Sequence, residues 1–553
     1  MKESIESVIM NHLKEYAKAK GVDLPGDLAV DLVVTKDPSH GDFSTNIFFK
    51  LAKAMKEKPS AIAVEIAGLI QKDKEAKKAG ILKCEVAGPG FMNIYLEKES
   101  LGKALQEVRK QDEKYGESDS GQKKKVLIEF VSANPTGPLT IAHGRQAAVG
   151  DSIARILKAA GYDVVKEFYL NDAGRQITLL GESLYARYLQ HFEHEAEVPP
   201  EGYQGEYLLE LAKKLAGEQG DQLLAQKKDK SVDLCREYAV KHLLGLIQTD
   251  LKKIDVEFDD YFQESTLYKK GSVQEAIDYL NQNKHLYEED GALWFKSSKF
   301  GDDKDRVVKK STGEWTYLAP DIAYHRYKFQ RGFQWLINLW GPDHHGYVSR
   351  LKAACQALGH DAKEVAICIV QLTTLYRKGQ PVRMSTRAGE FVTLRELVDE
   401  VGADAARFFF IMRKVSSHLD FDLDLAKQKS QENPVYYLQY AHARIASLLK
   451  YAERTVPKTA NFDLLDSKEE RELIKRIVDY PKAIARAGEA LEPYRVVDYL
   501  HELATEFHKF YSFHRVVTEN EELTGARLIL VEATRIVLRN GLAMLGISRP
   551  ETM

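Results

Sequence analysis

The sequence predicts an α/β protein in which a parallel-sheet domain lies between two smaller units. Residues 126–131 form a short run of apolar, β-forming side chains, as expected of a strand buried on both faces of a parallel sheet. Residues 146–157 follow with apolar side chains at helical spacing. From residue 433 onward the pattern is helical throughout. Together these patterns predict a Rossmann-type parallel-sheet catalytic domain, with an N-terminal α+β domain and a C-terminal all-α helix bundle.

Length and composition set the broad class. A chain of 553 residues exceeds what one hydrophobic core supports, so three or four domains are expected. The chain has no apolar run near the roughly 18 residues that span a membrane, and its first residues lack the apolar core of a signal peptide. A cytoplasmic location is therefore expected. The four cysteines lack paired spacing, so neither a disulfide framework nor a protein-held metal is predicted.

The α+β domain is predicted to span residues 1–115. Its patterns indicate helices and strands in alternation: helices at 5–16, 47–55 and 61–70, and strands at 28–34, 81–86 and 91–96. The polar segment 110–125 is interpreted as a linker.

The catalytic domain is predicted to span residues 122–375. After the first strand and helix, the sheet is expected to continue with strands at 164–170, 335–340 and 365–372. The charged, mostly helical segment 190–285 is interpreted as an insertion, and 291–309 as an antiparallel hairpin.

Two further units follow the catalytic domain. A connection subdomain at 376–430 contains a basic, glycine-punctuated loop and a helix at 394–401. The helix bundle is predicted to span 431–553, with the region around Gly525 separating its last helix.

A candidate anion site lies where the first predicted strand passes into the following helix. Two prolines and a glycine in segment 132–138 force an irregular turn there. Backbone N–H groups at such a junction face any bound anion, and His143 and Arg145 point to a phosphate. Local sequence leaves open a plain strand-to-helix turn with His143 as a capping or packing residue. A Walker A loop is excluded, because the nearest spacing match is followed by Gln122 rather than lysine.

The order of several motifs resembles a class I aminoacyl-tRNA synthetase, and most closely the arginyl-tRNA synthetase family. A histidine-containing strand-to-helix turn is followed about 200 residues later by an Asp-His-His-Gly strand end, a basic Met-Ser loop and a terminal helix bundle. The stretches that resemble the family are 129–138, 169–174, 340–347, 384–394 and 433–437, and 40–46 is similar to its N-terminal tRNA-binding module. The resemblance covers essentially the whole chain.

The resemblance implies an arginine–tRNA ligase. Such an enzyme activates L-arginine with ATP to arginyl-adenylate, releasing pyrophosphate. It then transfers the arginyl group to the 3'-terminal adenosine of its tRNA, releasing AMP. The implied partners are L-arginine and the arginine isoacceptors of tRNA. ATP is a substrate, Mg²⁺ is expected with it, and the chain is expected to be a monomer without membrane contact.

The resemblance also implies roles for individual residues. The catalytic residues would be His143, Thr140, Arg383 and Ser385. Arginine would be bound by Glu129, Asn134, Tyr317 and Asp321. ATP would contact Ala142, His143, His344 and Met384. The weakest implications concern tRNA, for which the candidates are Phe43, Asn46 and Tyr436.

Chemistry supports the two acids independently of the resemblance. A guanidinium presents planar, forked donors that carboxylates accept in pairs. An analogue that leaves such buried acceptors unpaired can be rejected by roughly 10⁴-fold, so lysine and citrulline would be excluded. The alternatives are that Glu129 is a strand acid in a salt bridge, and that Asp321 is a helix cap beside Pro320. Tyrosines on a bundle helix, such as Tyr436, are more often core residues than RNA contacts.

Three positions depart from the family's signatures. The first signature has Thr140 in place of histidine and Ala142 in place of glycine, and the added methyl could weaken ATP packing. The second has Thr386 in place of a lysine. Because losing one transition-state donor can cost about 10²–10³ in rate, another cation must compensate, and the candidates are Lys378, Arg383 and Arg387.

Two alternative functions follow from these departures. One is a synthetase-like paralogue that binds RNA or regulates without charging tRNA. The other is a nucleotidyltransferase that activates a different carboxylate, with the helix bundle as a protein-docking module.

Overall fold

The computed structural model describes residues 1–26, 28–35, 37–382, 392–452 and 454–553. The helices are α1 Lys2–Ala19, α2 Ile47–Met55, α3 Pro59–Lys72, α4 Lys74–Lys78, α5 Lys98–Gln111, α6 Ile141–Ala159, α7 Arg175–His191, α8 Glu206–Gln219, α9 Lys228–Lys253, α10 Ser265–Lys269, α11 Ser272–Gln282, α12 Leu318–Gln330, α13 Val348–Ala357, α14 Leu394–Val401, α15 Ala403–Ile411, α16 Leu423–Lys427, α17 Pro434–Tyr451, α18 Lys468–Ala490, α19 Tyr494–Phe513 and α20 Glu521–Met544.

The strands form four separate sheets. They are β1 Val33–Val34, β2 Phe43–Thr45, β3 Ile81–Ala87, β4 Phe91–Leu96, β5 Lys125–Glu129, β6 Asp163–Leu170, β7 Asp260–Gln263, β8 Leu286–Glu289, β9 Ala292–Phe295, β10 Arg306–Lys309, β11 Trp335–Trp340, β12 Val365–Ile369, β13 Thr373–Arg377, β14 Gln380–Pro381 and β15 Leu419–Asp422. The predicted fold class is confirmed, because a parallel sheet is flanked by an α+β unit and a helical unit.

The N-terminal unit is an antiparallel sheet packed against helices. Its strand order is β1-β2-β4-β3. The strand expected at 28–34 is much shorter, since only Val33–Val34 pairs with β2. Segment 110–125 is also not a free linker. Its first residues end α5, and the ring of Tyr115 is buried and stacked on Tyr480 with centroids 6.0 Å apart. The N-terminal unit therefore packs firmly on the bundle.

The central sheet has five parallel strands in the order β12-β11-β5-β6-β7. The first strand of this sheet along the chain, β5, lies in the middle, with β6 and β7 on one side and β11 and β12 on the other. The strand order therefore reverses between β5 and β11. In open parallel sheets this is where a crevice forms at the carboxyl ends of the strands.

Part of the segment predicted as an insertion belongs to this sheet. β7 lies within 190–285 but pairs in parallel with β6 as its edge strand. The prediction missed it because four residues, Asp-Tyr-Phe-Gln, carry little periodic signal. Helices α7, α8 and α9 do share a core of their own.

The predicted antiparallel hairpin at 291–309 is confirmed, since β9 pairs antiparallel with β10, and β8 adds a third strand in the order β10-β9-β8. Gly291 is the turn between β8 and β9, with φ of 73°, a left-handed conformation that glycine adopts without strain. The first strand therefore lies before the predicted boundary.

The connection subdomain is tied to the start of α6. Its small sheet has the order β14-β13-β15. The amide of Leu394 donates to the carbonyl of Leu139 at 2.8 Å. Arg145, which the sequence suggested for phosphate binding, is completely buried and donates instead to the carbonyls of Gln371, Leu372, Lys414 and Ser417. It is an internal cross-link rather than an anion ligand.

The bundle consists of α17 to α20 and packs through apolar faces. The face expected on α19 is confirmed, since all of its residues are buried: Val496, Leu500, Leu503, Phe507 and Phe510. Gly525 does not separate the last helix but lies inside α20. That helix begins four residues earlier because the side chain of Asn520 accepts the amide of Leu523 at 3.1 Å.

A buried ionic cluster joins three of these units. Arg407 of α15 donates to the Asp151 carboxylate of α6 at 2.7 Å, to the carbonyl of Ile254 at 2.7 Å and to that of Leu545 at 3.0 Å. Burial alone would raise the pKa of Asp151, but Arg407, Arg155 and Lys166 outweigh it and hold that pKa at about 2. No helix among the described residues is long and apolar enough to cross a membrane.

Candidate active site

A cleft of about 760 Å³ opens where the order of the central sheet reverses. It lies among the ends of β5, β6 and β11 and the first turn of α6. Five of the residues predicted from sequence line it: Glu129, Asn134, Ala142, His143 and His344. The fold thus brings two of the four proposed arginine residues and three of the four proposed nucleotide residues to one cavity, whereas Asp321 does not line it.

The nucleotide side is built on the beginning of α6. The amide of Thr140 donates to Nδ1 of His143 at 3.2 Å, so this nitrogen must accept. In the neutral ring the proton is then on Nε2. Burial lowers the pKa of His143 to about 4, so the ring is neutral at pH 7. His143 therefore offers the cleft a hydrogen-bond donor without a positive charge.

Thr140 and Ala142 lie on either side of this histidine in different roles. The Thr140 hydroxyl lies 3.1 Å from Nδ1 of His143, and Thr140 is not part of the cleft lining. It therefore positions His143 and is not placed to contact phosphate directly. Ala142 is exposed at the cleft, so its methyl group occupies space that a glycine would leave open.

The opposite rim of the nucleotide side carries His344. This exposed residue follows β11, with Nε2 3.3 Å from Asp343 Oδ2 and its ring tilted against Trp340 at 5.9 Å. Arg383, Met384 and Ser385, and the alternative cation Arg387, lie outside the described residues. Lys378 is described but does not line the cleft. Within the described chain, no lysine or arginine lines the cavity.

The arginine side begins with Glu129 at the end of β5. Its Oε2 accepts the ammonium of Lys328 at 2.5 Å, and its Oε1 accepts the hydroxyl of Ser132 at 3.2 Å. The salt bridge that the alternative interpretation of Glu129 predicts is thus present. The carboxylate nevertheless lines the cleft, so the two descriptions are compatible.

Asp321 lies in the first turn of α12, and its carboxylate is not a helix cap. The hydroxyl of Tyr347 donates to its Oδ2 at 2.5 Å. Burial, together with the neighbouring Glu129 and Glu264, raises the pKa of Asp321 to about 7 against the opposing effect of the Tyr347 hydrogen bond. A cation that binds beside a buried carboxyl group of this kind strongly stabilises its ionised form.

A tyrosine marks the place where the acids meet. The pKa of Tyr169 is raised, first by burial and then by the charges of Glu264, Asp321 and Glu129. Tyr169 also lines the cleft. The two predicted acids therefore share one electrostatic neighbourhood instead of pointing into unrelated regions.

The remaining arginine candidates lie at the rim or outside. Asn134 is exposed and its amide donates to Gln176 at 2.7 Å. Tyr317 is 87% exposed and does not line the cleft, so the structure does not place it in the pocket. Two other tyrosines interact with the acids: Tyr347 donates to Asp321, and Tyr169 interacts electrostatically with both acids. Their signal in the sequence was their position within the family-like stretches 169–174 and 340–347.

Backbone strain marks the turn beside Glu129. Val131 and Ser132 have φ of 66° and 40°, in a region that β-branched residues such as valine rarely adopt. Ser132 is held there because its hydroxyl donates to Glu129 and accepts the amide of Tyr169 at 3.1 Å. Strain of this kind is typical of functional sites and fixes the wall of the cleft.

The N-terminal RNA candidates separate into one surface residue and one core residue. Phe43 is completely buried in β2, so its ring cannot stack on a base in this structure. Asn46 is exposed at the beginning of α2 and lines a groove of about 600 Å³. The exposed aromatics near it are Phe49 and Phe91, whose rings pack edge to face at 5.4 Å. Sequence alone did not distinguish these phenylalanines from Phe43.

Tyr436 is not a core residue of the bundle. It is half-buried, and its ring lies parallel to that of Tyr440 at 6.1 Å. Arg444 lies 5.8 Å from the Tyr440 ring centroid and 4.2 Å from that of Tyr511. This side of α17 is therefore an aromatic surface with a cation.

No group of three or more histidine, cysteine, aspartate or glutamate side chains suited to a metal occurs in the part of the chain that the structure describes.

Three family models match the chain in succession. Residues 3–96 match the arginyl tRNA synthetase N terminal domain. Residues 104–419 match the catalytic domain of tRNA synthetases class I (R), and residues 438–553 match the DALR anticodon binding domain.

Individual proteins agree with the family models. Arginine–tRNA ligases of Bacillus licheniformis and Bacillus subtilis are 46% and 45% identical to the chain, each over 100% of the chain and 99% of the relative. The solved arginyl-tRNA synthetase of Thermus thermophilus, 22% identical, covers both chains completely with a TM-score of 0.79, which shows a shared fold. The chain therefore belongs to the arginyl-tRNA synthetase family of class I ligases.

Proposed function

We propose that the cleft performs both steps of the family's reaction with the residues described above. L-arginine reacts with ATP to give arginyl-adenylate and pyrophosphate, and the arginyl group then passes to the 3'-terminal adenosine of an arginine-accepting tRNA, with release of AMP. One observation carries this proposal: Glu129, an acid that suits a guanidinium and interacts electrostatically with the buried Asp321, lines the same cavity as the helix terminus that suits a phosphate.

Asp321 and Glu129 bind the guanidinium. The pKa of Asp321, raised to about 7 by burial, returns toward the ordinary range when a cation arrives, so binding arginine favours its ionised form. Tyr347 orients the Asp321 carboxylate through its hydroxyl. Asn134, at the rim, is close enough to the cavity to reach the polar groups at the other end of the amino acid.

The nucleotide lies against the beginning of α6. Free backbone N–H groups in the first turn and the Nε2–H of His143 donate to phosphate oxygens. His344 contacts the adenosine from the opposite rim. Arg383, Met384 and Ser385 act from the second signature, a role that rests on sequence resemblance alone. Mg²⁺ accompanies ATP on its phosphates, since the described residues offer no protein ligand set.

Catalysis in this proposal is placement. The arginine carboxylate attacks the α-phosphorus in line, and pyrophosphate leaves from the opposite side. Holding two anions in reacting geometry and donating to the developing charge accounts for most of the acceleration expected of such a site. None of the described residues needs to move a proton in the first step.

RNA binds at two aromatic surfaces. Asn46, Phe49 and Phe91 form one on the N-terminal unit, and Tyr436 with Tyr440 forms the other on the bundle. Unpaired bases commonly stack on such rings. The first surface is proposed to contact the tRNA elbow and the second its anticodon loop. The chain is proposed to act as a monomer in the cytoplasm, where charged tRNA is used.

The deciding experiment is a charging assay with labelled arginine and total tRNA. Charged tRNA supports the proposal and excludes both alternatives. Binding of tRNA without charging indicates an RNA-binding paralogue. Pyrophosphate exchange without any RNA, driven by a carboxylate other than arginine, indicates a different nucleotidyltransferase.

The RNA surface on the bundle is tested by Tyr436→Ala. The KM for tRNA should rise about tenfold, because loss of one stacking platform costs about 1–3 kcal/mol, while the KM for arginine stays constant. Tyr451→Ala, at the far end of the same helix and 85% exposed, is the matched control. Equal effects of the two substitutions would contradict the assignment.

A further inference from the structure

A completely buried lysine stands behind the arginine side of the cleft. Lys328 of α12 has no exposed surface. Its ammonium contacts Glu129 Oε2 at 2.5 Å and Asn338 Oδ1 at 3.2 Å, and lies 4.1 Å from the ring centroid of Tyr324. A buried ammonium persists only where charge and hydrogen bonds compensate it. The compensating charge here is the Glu129 carboxylate, which is also proposed to bind the arginine substrate.

A chain of hydrogen bonds fixes this ammonium relative to Asp321. Because a lysine ammonium only donates, Asn338 must present its oxygen to Lys328 and its amide to Nε2 of His325, 3.1 Å away. The other nitrogen of His325 then donates to the backbone carbonyl of Asp321 at 2.8 Å. The positions of Lys328 and Asp321 are therefore set by one network.

The lysine leaves the two oxygens of Glu129 unequal. Oε2 holds an ammonium at close range, whereas Oε1 accepts only the Ser132 hydroxyl at 3.2 Å. A side chain placed between Glu129 and Asp321 would therefore find acceptors on two different residues, Glu129 Oε1 and the Asp321 carboxylate. The planar, five-donor fork of a guanidinium suits such a pair better than the compact point charge of an ammonium.

The occupied oxygen, Glu129 Oε2, also disfavours substrates whose side chain carries an ammonium group. An ammonium that entered would approach the Glu129 carboxylate beside the ammonium of Lys328, and the two groups would repel each other. Specificity often depends on such a repulsive element as well as on attractive contacts.

We propose that Lys328 is a specificity-determining positioning residue, which excludes lysine from the cleft by filling one oxygen of Glu129 with the protein's own ammonium. This inference rests on the proposed placement of the arginine side chain between Glu129 and Asp321. Lys328 touches neither substrate nor nucleotide and acts through Glu129.

The main test is Lys328→Met, which keeps an unbranched side chain and removes the charge. The ratio of kcat/KM for arginine to that for lysine, measured by adenylate formation with tRNA present, should fall at least about tenfold. The fall should come from improved use of lysine as well as weaker use of arginine. Tyr324→Phe is the matched control, because it removes a buried hydroxyl from the same helix but keeps the ring beside Lys328.

A second readout separates this role from a purely structural one. The groups that face Asp321 are Tyr347, Glu129, Glu264 and Lys328, and of these Lys328 and the Tyr347 hydroxyl favour its ionised form. Without the lysine, the pH below which the KM for arginine rises should move upward. A variant that was merely less stable would keep the wild-type profile.

A double-mutant cycle with Glu129→Gln covers the case in which Lys328→Met does not fold. Once residue 129 carries no charge, removing Lys328 should change the discrimination between arginine and lysine by less than about twofold. Unequal discrimination by Glu129→Gln and the double variant would overturn the inference.

The same cycle distinguishes the two levels of proposal. If Glu129→Gln leaves the KM for arginine unchanged, the proposed arginine site itself is wrong. If Glu129→Gln raises that KM but Lys328→Met keeps wild-type discrimination and a wild-type pH profile, only the role of Lys328 is wrong.

Discussion

The two sides of the cleft differ in where their charge comes from. On the arginine side, Glu129, Asp321, Lys328 and Tyr347 contact or perturb one another, so the polar groups are held in place before any substrate arrives. On the nucleotide side, the described residues supply backbone amides and a neutral histidine but no cation. The fold preorganises the arginine side, whereas the nucleotide side must be completed by groups outside the described residues.

This difference has a chemical reason. A guanidinium is rigid and needs a fixed frame of acceptors, which a network of buried polar residues provides. A triphosphate changes its charge distribution during the reaction and therefore needs donors or cations directed at its oxygens. Two basic residues that could supply such charge, Arg383 and Arg387, lie outside the described residues.

The largest expected effect is on the preorganised side. Asp321→Ala should lower kcat/KM for arginine by about 10³–10⁴, because the guanidinium loses a charged, partly desolvated partner. The KM for ATP should stay within about twofold. Glu314→Ala, an exposed acid shortly before α12, is the control and should behave as wild type. Unchanged arginine kinetics would remove Asp321 from the pocket.

A smaller effect is expected on the nucleotide side. His143→Ala should reduce kcat by about 10²–10³, as for the loss of one transition-state donor, with little change in the KM for arginine. The exposed His191 provides the control substitution. A main effect on the KM for arginine would contradict the division of the cleft into two sides.

The pH dependence should separate the sides further. Arginine needs ionised Asp321, whose pKa burial raises to about 7, so the KM for arginine should rise toward tenfold per pH unit below pH 7. At saturating arginine, kcat should not change between pH 6 and 8 through His143, whose pKa burial lowers to about 4. Asp321→Asn should abolish the rise in KM, and its persistence would assign the titration to another group.

The smallest effect concerns the methyl group of Ala142. Ala142→Gly should leave the KM for ATP equal or lower it by no more than about fourfold, since one buried methyl group accounts for about 0.8 kcal/mol. The measurement is the ATP dependence of charging at saturating arginine. A raised KM would mean that the methyl group contacts adenine favourably.

Elements with strong local signals were predicted accurately. The bounds of α2, β11 and α14 are those expected from periodicity. For α14 the reason is visible, because Thr393 and Glu396 cap its beginning reciprocally. The Rossmann-type order was also predictable, because apolar runs alternated with helical patterns.

Other features depended on contacts that periodicity does not encode. β7 is too short to show a pattern and exists because β6 offers it an edge. Phe43 and Phe49 are both phenylalanines near Asn46, and only the packing shows that the first faces the core. Arg145 lies two residues after His143, but on a helix such side chains point in different directions, and the guanidinium donates to carbonyls in and just before the connection subdomain. The partnership of Glu129 with Lys328 spans 199 residues of sequence and has no local signal.

The guanidinium of Arg407 has a consequence for synthesis on the ribosome. It connects α6, the helix that carries the nucleotide side, to the carbonyl of Leu545, which lies 138 residues after Arg407. A nascent chain can therefore assemble its central sheet early, yet this buried cation keeps an unmet donor until Leu545 has emerged. Tight packing around α6 is in this way coupled to the synthesis of Leu545, and chains that end before Leu545 should have a loosened α6.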